Sequence, residues 1–575
     1  MRTSAKIVFG LYDITAKDDS NLSIDDKQTF SDLDELKQDN VNEIKYATLE
    51  KNYFNLDGSK VLLEYNAKAQ GIGLWSKSMS DSKGLFQKPP TLLITFSQVH
   101  SSNGITFQFS EDNYCNDLNI KFYNNDTLLK DLSFTPNEST FFCSEIVENY
   151  NKLIITFKKT NNPYRYLKLI NIVYGQNRVF TPSEITSANI LEEIDPLSNE
   201  ISINTLEFSI FSRDEAFNML NPKGIYKLLQ SRQMFRVYEM NDGIEMDMGT
   251  FYLDEWKNET EAISNMKAID LIGLLDKTTY YGGIFYDEQV DIILIRILET
   301  ANMDEHTITF DDDNLRKIHL SGYIPICTHR EAIQQVLFSA GLVADCSRSK
   351  KIKIYKLKDS NVKNIPYDRK KQDSETVELN DIVTGVQVTS HQYLYNTNNQ
   401  VYSEKKELYN ADLEVGEHFI KFSEPVYGIA VEGATLLDFS CAYAKVNVTT
   451  KGNVKIEGYE YYHVTKVYES KIEVKDNDKE NILQVTDATL ISDNNAQEVA
   501  DRILNYYQNT YKMNVDFKIE DESISDTVIV DTLYNQKLKG NIKKMDIDLT
   551  GGFIASSTII GSLYKEESNE NTNNW

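Results

Sequence analysis

Tyr53, Trp75 and Phe86 flank turn-rich segments and could form a platform for a sugar ring, whose apolar face stacks on aromatic faces. The competing reading is a core tryptophan closing a β-sandwich, with Asp57-Gly58 as a plain turn. The seven histidines (His100, His306, His319, His329, His391, His418 and His463) are scattered and form no HExxH or HxH, so no zinc site is expected. His329 falls in the first turn of a helix, where a solvated structural role is expected rather than catalysis. Asp304, Glu305 and Asp311–Asp313 are concentrated acids, but the calcium-loop spacing with a glutamate twelve positions in is missing; an exposed acidic loop is expected. No GxSxG, P-loop or GxGxxG occurs, and no acid/base pair sits in a recognisable glycosidase setting. No catalytic residue, metal or cofactor is therefore expected.

The elements that must position these residues follow from composition and pattern. At ~150 residues per domain, 575 residues suggest about four domains. Net charge is −27, with 87 acidic residues against 60 basic, so a phosphate backbone is repelled unless one face is locally basic. The one dense basic cluster, Ser349–Lys356, alternates lysine with apolar residues and reads as a strand with a solvated face. No long apolar run or signal-peptide pattern is present, so no membrane segment and folding in a cytoplasm are expected. Cys115, Cys143, Cys327, Cys346 and Cys441 form no CxxC pair and read as reduced, mostly buried thiols. The 34 tyrosines, with abundant asparagine, suit a surface contacted by sister subunits or by glycans.

Residues 1–180 carry short strands with polar turns, indicating a sandwich or jelly roll; Asn103-Gly104 reads as the turn between Leu92–Ser97 and Ile105–Ser110. Residues 181–276 read as strand, loop, β-hairpin about Asn241-Asp242-Gly243, and a last strand running into Asp270–Asp276. A bulge near Asn204 would reconcile Ile201 and Ile203 with Leu206, Phe208 and Ile210 on one face. So few strands hide their edges best as a small barrel. Residues 277–375 form an α+β insert with a helix over Gln289–Thr300 and a second begun by the capping box Thr328-His-Arg-Glu331 and ended by Gly341. Residues 376–490 return to strands. Residues 491–565 open with a helix capped by Ser492 or Asn494 and continue as strands; 566–575 read as a disordered tail.

The segments Phe251–Trp256, Ala268–Asp276, the capped helix at 328–340, the helix at 495–507 and Leu549–Ala555 occur in an order that resembles tailed-phage baseplate hub and tail-tip proteins and the spike proteins of type VI secretion. Residues 45–175 resemble the galactose-binding-like jelly rolls fused to tail proteins of low-GC bacterial prophages. The resemblance implies a mainly β, multidomain chain: an N-terminal jelly roll, then a hub-type β-barrel ring domain with α+β and β inserts, its halves at 181–276 and 491–565. It further implies a structural virion protein rather than an enzyme, assembled in the host bacterial cytoplasm into the tail baseplate or tail tip. As a homotrimer it would join tube and distal tail proteins to a spike or fibre; if the acidic residues of this −27 chain line the bore, DNA would pass through it unbound. The fused jelly roll, which minimal hubs lack, leaves open central hub or surrounding tail-tip component. The alternative function is an adhesin whose jelly roll binds host cell-wall carbohydrate.

Overall fold

Strands from both ends of the chain share one sheet. The computed structural model describes residues 3–564 except 38–43, 49, 52, 54–57, 63–70, 112, 214, 222–228, 230–231, 242–243, 304, 358–361, 381, 396–404, 474–478 and 533–535. Among these residues the largest sheet has thirteen strands. Its spatial order is Thr376–Leu379, Tyr511–Lys518, Ile554–Tyr564, Lys537–Asp548, Ile185–Glu193, Thr205–Phe211, Ile263–Ile269, Ile244–Asn258, Met234–Asn241, Thr3–Tyr12 and Gly175–Phe180. Lys363–Ile365 and Thr527–Asp531 join beside Lys537–Asp548. The seam between the two sequence halves is antiparallel: Asn189 faces Asp548, Ile190 faces Ile547, and Glu193 faces Lys544. One continuous core, including Ile7, Phe9, Ile190, Phe235, Met513 and Ile547, lies against this sheet. Apolar burial of about 25 cal/mol per Å² makes that shared core the main force holding the distant halves together.

Two boundaries differ from the sequence reading. Thr3–Tyr12 and Gly175–Phe180, assigned by sequence to the jelly roll, belong to the large sheet, where Ile7 faces Val237 on one side and Phe180 on the other. Alternating Ala5, Ile7 and Phe9 present an apolar face that the large core buries, and Phe9 stacks on Phe235 at 4.3 Å. The jelly roll is thus inserted between two neighbouring strands of that sheet. At the opposite end Thr376–Leu379, read as part of the second β unit, pairs with Tyr511–Lys518.

The jelly roll is a seven-stranded sheet of long strands. Asn103-Gly104 makes no turn: Thr91–Phe109 is one strand of 19 residues, paired with the 21-residue Thr140–Thr160. Gly104 has φ +142, and a Cβ there would run into the Cys143 carbonyl oxygen and the Phe142 ring. The glycine serves a register irregularity and close strand approach. Gly104→Ala should therefore lower stability by about 2–4 kcal/mol, read as a drop in thermal midpoint. The strand Thr127–Phe134 has no counterpart in the sequence reading.

Within the insert, Thr328 Oγ1 accepts from Glu331 N at 3.1 Å and Glu331 Oε2 accepts from Thr328 N at 2.8 Å, closing the capping box before His329–Ala340. Gly341 takes the left-handed position at φ +70. The returning helix, Ala496–Tyr506, starts after Asn495 rather than Ser492 or Asn494, and Asn495 gives it no side-chain cap, since its Oδ1 accepts from Ser492 N and its Nδ2 donates to Ser339 O. Arg502 Nη2 donates to Phe338 O at 2.5 Å, so both side chains occupy terminal carbonyls of the capped helix. Residues 201–204 are not strand, and no bulge forms at Asn204; the face changes because the strand begins at Thr205. Among the described residues the second β unit is three three-stranded sheets. No described helix is long and apolar enough to cross a membrane. Asp242, Gly243 and the 566–575 tail lie outside the described residues.

Candidate functional site

The sheet that joins residues near 190 to residues near 548 is the feature with most functional content, and buried polar groups fix what is attached to it. Glu192, 1% exposed on the seam strand, receives a fork from Arg348 of the insert: Nε to Oε1 at 3.2 Å and Nη2 to Oε2 at 3.3 Å. Burial pushes the Glu192 carboxyl up, and the guanidinium opposes it. Beside it Asn204 uses every polar group. Its N donates to Asp270 Oδ2, its Oδ1 accepts from Glu193 N, and its Nδ2 donates to Ser347 Oγ. Asp270 also caps the short helix Leu271–Leu275 through Gly273 N, and burial pushes its carboxyl up to about 7. Sequence periodicity carried no signal for Glu192 and Arg348, 156 positions apart.

The jelly roll's attachment has its own lock. His100 places Nδ1 2.9 Å from Asp13 Oδ2 and Nε2 2.9 Å from Asp19 Oδ2, so the ring bridges the connection leaving Thr3–Tyr12 to the sandwich. Asp13 Oδ1 also caps the helix Ile14–Asp19, accepting from Ala16 N. Hydrogen bonds from Ser97 and His100 hold Asp19 well below the usual carboxylate range.

Inside the large sheet's core, Glu239 is fully buried, and neither carboxylate oxygen has a well-formed hydrogen bond among the described residues. Burial pushes its carboxyl up to about 8, Asp548 adds to this, and only the Ser4 backbone opposes it. A carboxyl raised in the folded state stabilises below its unfolded value and loses that contribution as pH climbs towards 8. Glu239→Gln should therefore match the parent near pH ~4 and become the more stable protein as pH rises, by several kcal/mol at about 1.4 kcal/mol per pKa unit. Denaturant midpoints across that range test it.

The solvent side of the sheet pairs its charges: Lys6 with Glu245 at 2.6 Å, Lys267 with Glu207 at 3.5 Å, Lys512 with Glu378 at 3.4 Å. A depression of about 460 Å³ there is lined by Ser187, Asn189, Ser209 and Asn265 as well as that Lys267–Glu207 pair.

Tyr53, Trp75 and Phe86 do not make a shared exposed platform. Trp75 is 5% exposed and Phe86 6%, the first packed with Tyr46, Ile72 and Phe30, the second in the sandwich core. Only Tyr53 is half-buried. The space that a sugar would take between Tyr53 and Trp75 holds the Lys168 ammonium, 4.1 Å from one ring centroid and 4.4 Å from the other. Lys168, 1% exposed, pairs with fully buried Glu50, whose oxygens also accept from Tyr166 N and Thr48 Oγ1. The residues around Asp57 lie outside the description.

His329 is buried rather than solvated, held between Thr278 Oγ1 at 2.8 Å and Thr300 Oγ1 at 3.0 Å; desolvation lowers its pKa. His391 and His463 stack, with Nδ1 to Nε2 at 2.9 Å. Among the described residues no three His, Cys, Asp or Glu are grouped to hold a metal ion. Asp312 caps Asp313–Arg316, while Asp304 is outside the description. Cys115, Cys143 and Cys346 are buried free thiols; Cys327 and Cys441 are partly exposed.

No family model matches the chain, and no curated protein matches it. Among solved structures the chain is similar to a tail protein from Neisseria meningitidis, at 10% identity and TM-score 0.41, covering 67% of this chain and 94% of that one. It is also similar to the prophage tail protein gp18 from Listeria monocytogenes, at 10% identity and TM-score 0.37, covering 68% and 92%. A family 32 carbohydrate-binding module from C. perfringens NanJ, solved with galactose, matches 31% of this chain over its full length at 9% identity and TM-score 0.18. At these scores the likenesses carry no weight for function by themselves.

Proposed function

We propose that this chain is a non-enzymatic structural subunit of a phage, or phage-tail-like particle, baseplate or tail tip. As a homotrimer it forms the collar between the tail tube and the spike or receptor-binding apparatus. The supporting observation is the antiparallel seam from Asn189–Asp548 to Glu193–Lys544, which makes one sheet from segments on either side of an α+β insert and a β unit. That is the chain path the sequence resemblance implies for a ring-forming hub. A sheet ending in Thr376–Leu379, exposed at all four residues with Leu379 71% exposed, also suits pairing with a sister subunit. Partners would be tube, distal tail, and spike or fibre proteins, in a virion assembled in the host cytoplasm.

The test is the native mass of the full chain alone and with its tube protein. A trimer, alone or on the tube, is expected; a monomer that never joins the tube overturns the reading. The second reading, an adhesin, is favoured by the placement of the jelly roll as a separate insertion between Thr3–Tyr12 and Gly175–Phe180. Cell-wall glycan binding that survives loss of assembly would separate it from the first.

A further inference from the structure

The jelly-roll corner around Tyr53 runs against the charge of the chain. Lys60 Nζ lies 4.3 Å from the Tyr53 ring centroid, the Lys168 ammonium 4.1 Å, and the Arg165 guanidinium carbon 5.2 Å, while Lys51 stands over Tyr164 at 5.2 Å. Glu50 neutralises Lys168. Among the described residues no carboxylate lies within ion-pair distance of Lys51, Lys60 or Arg165; Glu111, which feels Lys60 from further away, is engaged by Lys45. Among the described residues three cations therefore gather without a paired anion, in a chain of net charge −27.

The corner is also built. Arg165 is 9% exposed, and its Nη1 donates to the carbonyl oxygens of Lys51 at 2.7 Å, Tyr164 at 3.2 Å and Pro163 at 3.4 Å. Its Nε is buried with no acceptor among the described residues, so the guanidinium keeps a positive charge that its carbonyl partners do not neutralise. Tyr164 holds φ +56, a strained position for a bulky residue, of the kind retained where geometry serves a site. Lys51 is exposed and Lys60 half-buried, so both can be reached, while Lys168 and Glu50 form the floor.

We infer that this corner binds an oxyanion, phosphate or carboxylate, carried on a polysaccharide. The polysaccharide part rests on the adhesin reading; the oxyanion part rests on the cation surplus alone. The test measures binding of the full-length protein to poly(glycerol phosphate), to polygalacturonate and to neutral galactan, at low and high salt. Binding to one or both anionic polymers, weakened by salt, is expected, and the preferred polymer identifies the anion. Lys51→Glu with Lys60→Glu should weaken it by roughly tenfold or more at an unchanged thermal midpoint. Lys88→Glu, at another exposed lysine of the same domain, should leave it unchanged. The inference is overturned if neither anionic polymer binds at low salt, if the double variant binds like the parent, or if galactan binds as tightly. That last outcome would leave the adhesin reading standing, and none of the three bears on the collar.

Discussion

Lys168→Ala is expected to destabilise the protein by about 3–5 kcal/mol, the range for removing one partner of a buried ion pair. Lys168 is 1% exposed and Glu50 2%, so the surviving carboxylate would be stranded without solvent. Two hydrogen bonds, from Tyr166 N and Thr48 Oγ1, would remain to it and cannot replace an ammonium. The Tyr53 and Trp75 rings would also lose the cation between them, about 0.5–2 kcal/mol in partly desolvated settings. Lys168→Met with Glu50→Gln should recover much of the loss, since a neutral pair of similar volume carries no stranded charge. Thermal midpoints of the parent, single and double variants decide this. A single variant as stable as the parent would mean that Lys168 is not the post holding the corner.

This outcome also marks where sequence reasoning ended. Tyr53 and Trp75 are legible as aromatics near turns, but nothing in spacing says that Lys168, 93 positions beyond Trp75, fills the gap between them. The general path of the chain was more legible. Helical spacing at Ala496–Tyr506 follows directly from side-chain periodicity, with Ala496, Val499, Ala500, Ile503 and Leu504 recurring on one buried face. Asn103-Gly104 failed because a turn dipeptide and a glycine needed for close strand approach look the same in one dimension. Thr3–Tyr12 failed differently. Its pattern declares a half-buried strand but not which of two neighbouring cores buries it.

Arg348→Met tests the other buried pair, and its pH dependence separates charge from shape. At neutral pH the loss should again be about 3–5 kcal/mol, because Glu192, buried on the seam strand, must either keep an uncompensated charge or take up a proton. In the parent, burial raises the Glu192 carboxyl and Arg348 lowers it. Without Arg348 the raising influence acts with little opposition. A carboxyl raised in the folded state stabilises below its unfolded pKa of about 4.3 and loses that contribution as pH rises. The deficit should therefore be small near pH ~4 and grow towards neutrality. Adding Glu192→Gln should flatten the profile, leaving only lost packing. Because Arg348 belongs to the insert and Glu192 to the seam beside Lys544, the neutral-pH variant should also release the insert for limited proteolysis before the large sheet unfolds. A deficit that does not change with pH would show that the guanidinium contributes bulk alone, and that the insert is seated on the sheet by its apolar contacts.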